Sequence, residues 1–237
     1  YSTGGASSTF AETTQIKDEG GNLQNFSSYI ESRGGIQKIV AGRSLLILLA
    51  DGTLYGAGSN SKGYLGLGHT NQVLNLTYIG SGFSDVEIAI DHVLAIKDGV
   101  LVGAGENNSG QLGIGNTTHQ SSFQPVIMPS GYTSADIKEF RGKWLFSSIL
   151  MNDGYLFTVG SNAQGRLGNG SGSGNTNTFA LATTDVTYIS DGGEFQVIAK
   201  TDGNFYGVGG NVQGQFGFLG GGNTGNYVQM VGITPAD

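Results

Sequence analysis

Histidines, clustered carboxylates and glycine-rich loops are the groups in this chain with the means to do chemistry, and their spacing decides whether they can. His69, His92 and His119 are the only histidines. They fall at three unrelated positions of the chain's recurring pattern, whereas a metal or acid–base site needs its groups to converge. Replacing all three by Ala is therefore expected to leave the fold nearly intact. Asp85, Glu87 and Asp91 gather beside His92 and read as a solvated strand face rather than a cation site. Cysteine is absent, which removes disulfides and thiolate metal ligands. The stretch GAGSNSKG at 56–63 has the look of a phosphate loop but lacks the Gly-Lys-Ser/Thr ending and a following helix. No catalytic, metal or cofactor-binding residue is assigned, and the chain reads as a non-enzyme.

Aromatic residues offer a different kind of chemistry, that of contact. Trp144 stands with Phe140 and Phe146 where the repeat pattern breaks. Tyr64, Tyr132 and Trp144 are the candidate partner contacts, suited to a protein surface or a glycan; core packing is the competing use of such rings.

The elements that must position these residues are repeats. Gly accounts for 43 of the 237 residues, and the glycines recur inside one motif. The chain reads DGTLYGAGSNSKGYLGLG from Asp51, DGVLVGAGENNSGQLGIG from Asp98, DGYLFTVGSNAQGRLGNG from Asp153 and DGNFYGVGGNVQGQFGFLG from Asp202. Each copy carries Asp-Gly, an apolar residue, then Gly, then Asn (Asn60, Asn107, Asn162, Asn211), a further Gly, and Leu/Phe-Gly. The four Asp and four Asn are read as structural: Asp-Gly makes a hairpin turn, and Asn with Gly tolerates left-handed loop conformations. The first hairpin strands are expected at 45–49, 93–96, 147–151 and 196–199. The second strands are short and rich in small residues, which lets neighbouring backbones come close. No segment longer than a turn or two has helical periodicity.

The pattern DGxhxxxGxNxxGxhGxG, with h as Leu or Phe, resembles the RCC1 repeat. The segment Ile36-Gln-Lys-Ile-Val-Ala-Gly resembles that family's Ile-x-x-Ile-x-x-Gly strand, and Ile137-Lys-Glu-Phe-Arg-Gly does so too. The resemblance covers about residues 36–237. It implies an all-β fold, a β-propeller with about fifty residues per blade. Many family repeats place an aromatic residue where this chain has Ala57, Ala104, Val159 and Val208, and the Gly-x-x-His element is reduced to His92. Family activities are therefore not carried over residue by residue.

Well-known members of that family have seven blades, while this chain has four signatures. Residues 227–233 are expected to add a strand to the first unit and close a four-bladed ring, because closure removes open sheet edges. An open arc completed by a partner is the alternative. Residues 1–35 form an amino-terminal arm or extension outside the four units, with residues 26–30 a further strand or part of the arm. Residues 1–20 are expected to be dispensable for folding and to tether the chain to a larger assembly. The chain opens on Tyr1 instead of Met, which fits a processed product or a piece of a longer one.

Charge is scarce: 12% of residues are Asp, Glu, Lys or Arg, against roughly 25% ordinarily. The net charge is −7, and Lys138, Arg141 and Lys143 are the densest basic group. No stripe exists to neutralise phosphates, which argues against nucleic acid and chromatin. The longest apolar run, residues 45–50, is far below the ~20 residues of a membrane-spanning helix. The surface must consist of Gly, Ser, Thr, Asn and Gln, as on extracellular and virion proteins. These features point to a structural or protein-interaction module, a decoration, fibre or receptor-contact protein of a virion or cell surface, with protein partners or neighbouring subunits. A regulator of a small GTPase, as the resemblance implies, and a carbohydrate-binding module are the alternatives.

Overall fold

The computed structural model describes residues 15–217 and 222–230. It is built of four four-stranded antiparallel sheets, each a meander of consecutive strands, plus a small two-stranded sheet. The first large sheet comprises β3 (Ile36–Ala41), β4 (Ser44–Leu49), β5 (Leu54–Gly58) and β6 (Val73–Gly80). The second comprises β7 (Phe83–Ile88), β8 (His92–Lys97), β9 (Val100–Gly105) and β10 (Gln120–Pro125). The third has β11 (Ile137–Lys143), β12 (Phe146–Met151), β13 (Leu156–Gly160) and β14 (Thr176–Thr183). The fourth has β15 (Val186–Asp191), β16 (Phe195–Lys200), β17 (Phe205–Gly209) and β18 (Thr224–Gln229). The repeated motif thus lies in the central hairpin of each sheet, and the four predicted first strands are β4, β8, β12 and β16.

Strand alternation explains how the sheets stack. Successive side chains point to opposite faces. In β4, Leu46 and Leu48 pack against Val86, Val93 and Ala95 of the second sheet. Leu45, Ile47 and Leu49 point the other way, against Ile16, Tyr29 and Ile30. In the second sheet Val93 faces back while Leu94 and Leu101 face Ile149 and Met151 of the third. Leu150 and Leu156 in turn face Val186, Ile189 and Ile198 of the fourth. β8 and β12 carry apolar residues on both faces because each has a sheet on both sides. Each such side chain, fully buried, contributes roughly 1.5–3 kcal/mol.

Two expectations are corrected here. Residues 227–233 do not add a strand to the first sheet. Tyr227 and Val228 belong to β18, which pairs with β17 in its own sheet (Gly207↔Val228, Tyr206↔Gln229); residues 231–237 lie outside the described residues. The first sheet already has four strands, so it offers no vacancy of that kind. Its outer face is also taken. β1 (Gln15–Lys17), β2 (Leu23–Asn25) and the short helix α1 (Phe26–Ser32) cover it, with Ile16 and Ile30 buried against Ile47, Leu49 and Tyr55. The four sheets therefore form an open arc, and among the described residues no hydrogen bond joins the fourth sheet to the first.

The second correction concerns the extension. Residues 26–30 are helical, not extended: the Asn25 side chain caps α1 by accepting from the Ser28 N–H at 3.2 Å. Residues 15–20 are part of the fold, so only residues 1–14, outside the described residues, retain the reading of a tether. Arg33 ties the cap to the first sheet, reaching Glu19 at 2.7 Å and Asp51 at 3.1 Å. Tyr55 donates to the Tyr29 hydroxyl at 2.7 Å.

Candidate protein-interaction edge

The repeated polar residues are consumed by the scaffold. Asn60, Asn107, Asn162 and Asn211 are buried, and each side-chain oxygen accepts the backbone N–H five residues on, from Leu65, Leu112, Leu167 and Phe216 at 2.9–3.0 Å. Asn60, Asn107 and Asn162 also donate to loop carbonyls of His69, Asn116 and Ser171. Asp51, Asp153 and Asp202 each accept the N–H two residues on, from Thr53, Tyr155 and Asn204. Asp98 differs. Its φ is +50° and that of Gly99 is +75°, the geometry of a two-residue hairpin turn between Lys97 and Val100.

The histidines do not converge. His69 and His119 brace the asparagine loops, the His119 Nδ1 accepting from Asn107 N–H at 2.9 Å. His92 is wholly buried between the second and third sheets, its Nε2 2.8 Å from Ser147 Oγ. Because the Ser147 hydroxyl donates to the Gln111 carbonyl, Nε2 carries the ring proton. Desolvation holds the imidazole pKa down at about 4. Among the described residues no group of three or more His, Asp or Glu is placed to hold a metal ion. The acids beside His92 are not a free solvated face: Lys38 of the first sheet reaches Asp85 at 2.8 Å and Glu87 at 2.6 Å, and Arg43 reaches Asp91 at 3.0 Å.

The three candidate contact aromatics are not brought together. Tyr64 is fully buried beneath Ser44, 3.2 Å from its hydroxyl, so it offers no surface; it follows the loop asparagine, where its sheet needs a large core residue. Tyr132 packs on Phe157, and its hydroxyl donates to Asp153 at 2.8 Å, at the Asp-Gly end of the third sheet. Trp144 lies at the opposite end, 44% exposed. Phe140 and Phe146, its sequence neighbours, are core.

Trp144 occupies the turn joining β11 to β12, with φ +47°. A bulky residue at positive φ is an outlier, with a cost on the order of 1–3 kcal/mol that its surroundings must offset. The equivalent turns of the other sheets converge on the same edge of the arc. Arg43, Ile90, Asp91, Glu106, Trp144 and Leu145 line a cleft of about 250 Å³ there. The next turn is clamped from below: Arg166, buried, donates to the Gly193 carbonyl at 2.9 Å, and Gln164 donates to Glu194 at 3.1 Å. The Trp144 indole lies over Gly193, where a Cβ would meet Cε2 at 3.0 Å. This edge thus combines an exposed indole held over a rigid turn, an ion pair and two further carboxylates, Glu106 and Glu194. It has no nucleophile paired with a base. It can make contacts: an aromatic anchor with polar surroundings is the composition of an interface centre.

Sequence reasoning singled out Trp144 and missed Arg43, Glu106 and Glu194. The available signal was positional: Arg43, Asp91, Leu145 and Glu194 each immediately precede a central strand, and there the repeat carries a base, two acids and an apolar residue instead of one kept type.

No family model matches the chain, and no curated protein matches it in sequence. Solved structures do match in fold. Yeast RCC1 (Prp20), in its complex with Kap60, is 16% identical with a TM-score of 0.73, covering 83% of this chain and 48% of that one. Human WBSCR16 is 20% identical with a TM-score of 0.72, covering 89% and 56%. Prp20p from Saccharomyces cerevisiae, described with binding to Gsp1p and histones, is 17% identical with a TM-score of 0.73, covering 83% and 50%. The chain spans about half the length of these proteins. Its fold is that of an RCC1-like β-propeller, present as an open arc.

Proposed function

We propose that the protein is a non-enzymatic interaction module that engages a protein partner through the edge containing Trp144. The observation that carries this reading is the exposed indole held at positive φ over Gly193, next to the Arg43–Asp91 pair. Strain retained at an exposed aromatic is hard to account for by folding alone. The fold neighbours support the class of function, since one of them, Prp20, is described with protein partners. The low charge and the Gly/Ser/Thr/Asn surface fit a structural or receptor-contact component of a virion or cell surface. Affinity capture with wild type, Trp144→Ala and Tyr155→Ala chains in parallel tests the reading. A partner lost with Trp144→Ala, kept with Tyr155→Ala, and with unchanged thermal stability supports it; a partner set indifferent to Trp144 overturns it. Stimulated nucleotide release from a purified small GTPase would replace it with the regulatory reading, and selective retention on a glycan array with the carbohydrate one.

A further inference from the structure

Four rings of this chain carry a cation of their own. Arg33 lies over Tyr29 at 4.8 Å, Lys97 over Phe83 at 5.4 Å, Lys138 over Tyr188 at 5.4 Å and Lys200 over Tyr206 at 5.3 Å. Tyr188 holds its lysine although it is 71% exposed. Indole offers a cation the strongest of the aromatic faces. Yet Trp144, the chain's only tryptophan, has no cation over it among the described residues.

Two basic residues stand near Trp144, and neither serves it. Arg43 lines the same cleft, but one guanidinium nitrogen is held by both carboxylate oxygens of Asp91, at 3.0 and 3.1 Å. Lys143 precedes Trp144 in the chain and lines the adjoining cleft, with Gly42, Ile88 and Ala89.

The same cleft holds an acid without a partner. Glu106 follows β9, and its backbone N–H donates to the Asp91 carbonyl at 2.7 Å, which fixes the residue to the cleft wall. Its half-buried carboxylate makes no hydrogen bond or ion pair among the described residues. All eleven Lys and Arg of the chain lie among those residues, so residues 1–14, 218–221 and 231–237 have none to supply. Glu194, on the far side of the indole, is provided for: it accepts from Gln164 at 3.1 Å, and the buried Arg166 charge acts on it from beneath. With Gly193 against the ring on that side, the indole and the Glu106 carboxylate border one space of about 250 Å³. An aromatic face beside an unpaired carboxylate is complementary to a cation that can stack and donate at once.

We propose that this cleft receives an arginine side chain of the protein partner, its guanidinium stacked on Trp144 and hydrogen-bonded to Glu106. The inference rests on the interaction reading given above and deepens it, by naming the group through which the partner is recognised. Arginine fits better than lysine because a planar guanidinium stacks on a ring while donating in its own plane, whereas an ammonium is a strongly hydrated point charge.

Trp144 fluorescence tests this directly, since no other indole contributes to the signal. The probe is acetyl-Gly-Gly-Arg-Gly-Gly-amide, titrated into the full chain at constant ionic strength. Matched peptides carry lysine, glutamate or citrulline, the last having the shape of arginine without its charge. The arginine peptide should change the emission saturably, the lysine peptide should bind more weakly, and the other two should give no saturable change. Glu106→Gln should weaken arginine-peptide binding by about threefold or more. Glu31→Gln, the same charge change on exposed α1, should leave the affinity unaltered, and both variants should unfold at the wild-type temperature. No saturable response to the arginine peptide, binding no weaker by the citrulline or lysine peptide, or an affinity indifferent to Glu106→Gln overturns the inference. The interaction reading fails separately, on a partner set indifferent to Trp144→Ala. A partner lost with Trp144→Ala but kept in full by Glu106→Gln leaves that reading standing and overturns this one.

Discussion

The polar residues that recur in this chain are spent largely on the backbone, while two that do not recur, His92 and Asp191, have pKa values shifted by burial. His92 is the clearest case. Its folded-state pKa of about 4 lies below the unfolded value of 6.5, because burial disfavours the imidazolium. Its contribution is therefore complete above about pH 6.5 and is lost as pH falls through about 4, by about 3 kcal/mol in all. Chemical denaturation at a series of pH values should show this loss, and His92→Gln should flatten it. The expectation that all three histidines could be replaced without harm fails for this residue, since its off-repeat position concealed a buried bond to Ser147 across two sheets. Asp191 behaves oppositely. Enclosed between the third and fourth sheets, it accepts from Gln196 at 2.6 Å and Ser148 at 3.1 Å, and burial raises its pKa. Ionisation there works against folding as pH rises, so Asp191→Asn should raise the thermal midpoint at pH 7 and have no effect once the carboxyl is protonated. The loop asparagines were legible as structural from their spacing alone. Asn162→Ala should cost roughly 1–3 kcal/mol, measured by denaturant unfolding, because the Leu167 N–H is left buried and unpaired.

At the scale of elements, the central hairpins could be read from the sequence because Asp-Gly, small residues and alternation all point the same way. The outer strands carry weaker signals: β10 and β18 are polar, half-exposed and recognisable mainly by the aromatic that roofs a glycine. Helix α1 was missed for a physical reason. At seven residues with one buried side chain, it has too little apolar periodicity to register, and its stability comes from packing on the first sheet. The cap as a whole does what a terminal unit of a repeat array must do, covering an apolar face that no further repeat covers. Ile16, with 2% of its surface exposed, is its anchor. Ile16→Ala should destabilise by roughly 2–4 kcal/mol. Deleting residues 1–20 should lower the thermal midpoint, where loss of residues 1–14 alone would leave this anchor in place.

For the whole molecule, four sheets in an arc leave two unlike ends. One is sealed by β1, β2 and α1, and at the other, among the described residues, Val197 and Phe205 are only partly buried. Ring closure was the wrong inference from four signatures, because repeat count says nothing about the angle between sheets. That angle is set by the packing of Leu46, Leu94 and Leu150 layers, which the sequence lists but does not arrange. The edge proposed for interaction was legible only in part, since it is assembled from residues far apart in sequence, from Arg43 through Trp144 to Glu194, mostly at the least repetitive point of each unit. The most direct measurement is site-specific photocrosslinking in cells that express the protein, with p-benzoylphenylalanine at position 144 and, separately, at position 155 on the opposite edge. The account predicts a discrete protein adduct from position 144 and none from position 155. Adducts from 155 alone, or none from 144, would contradict it.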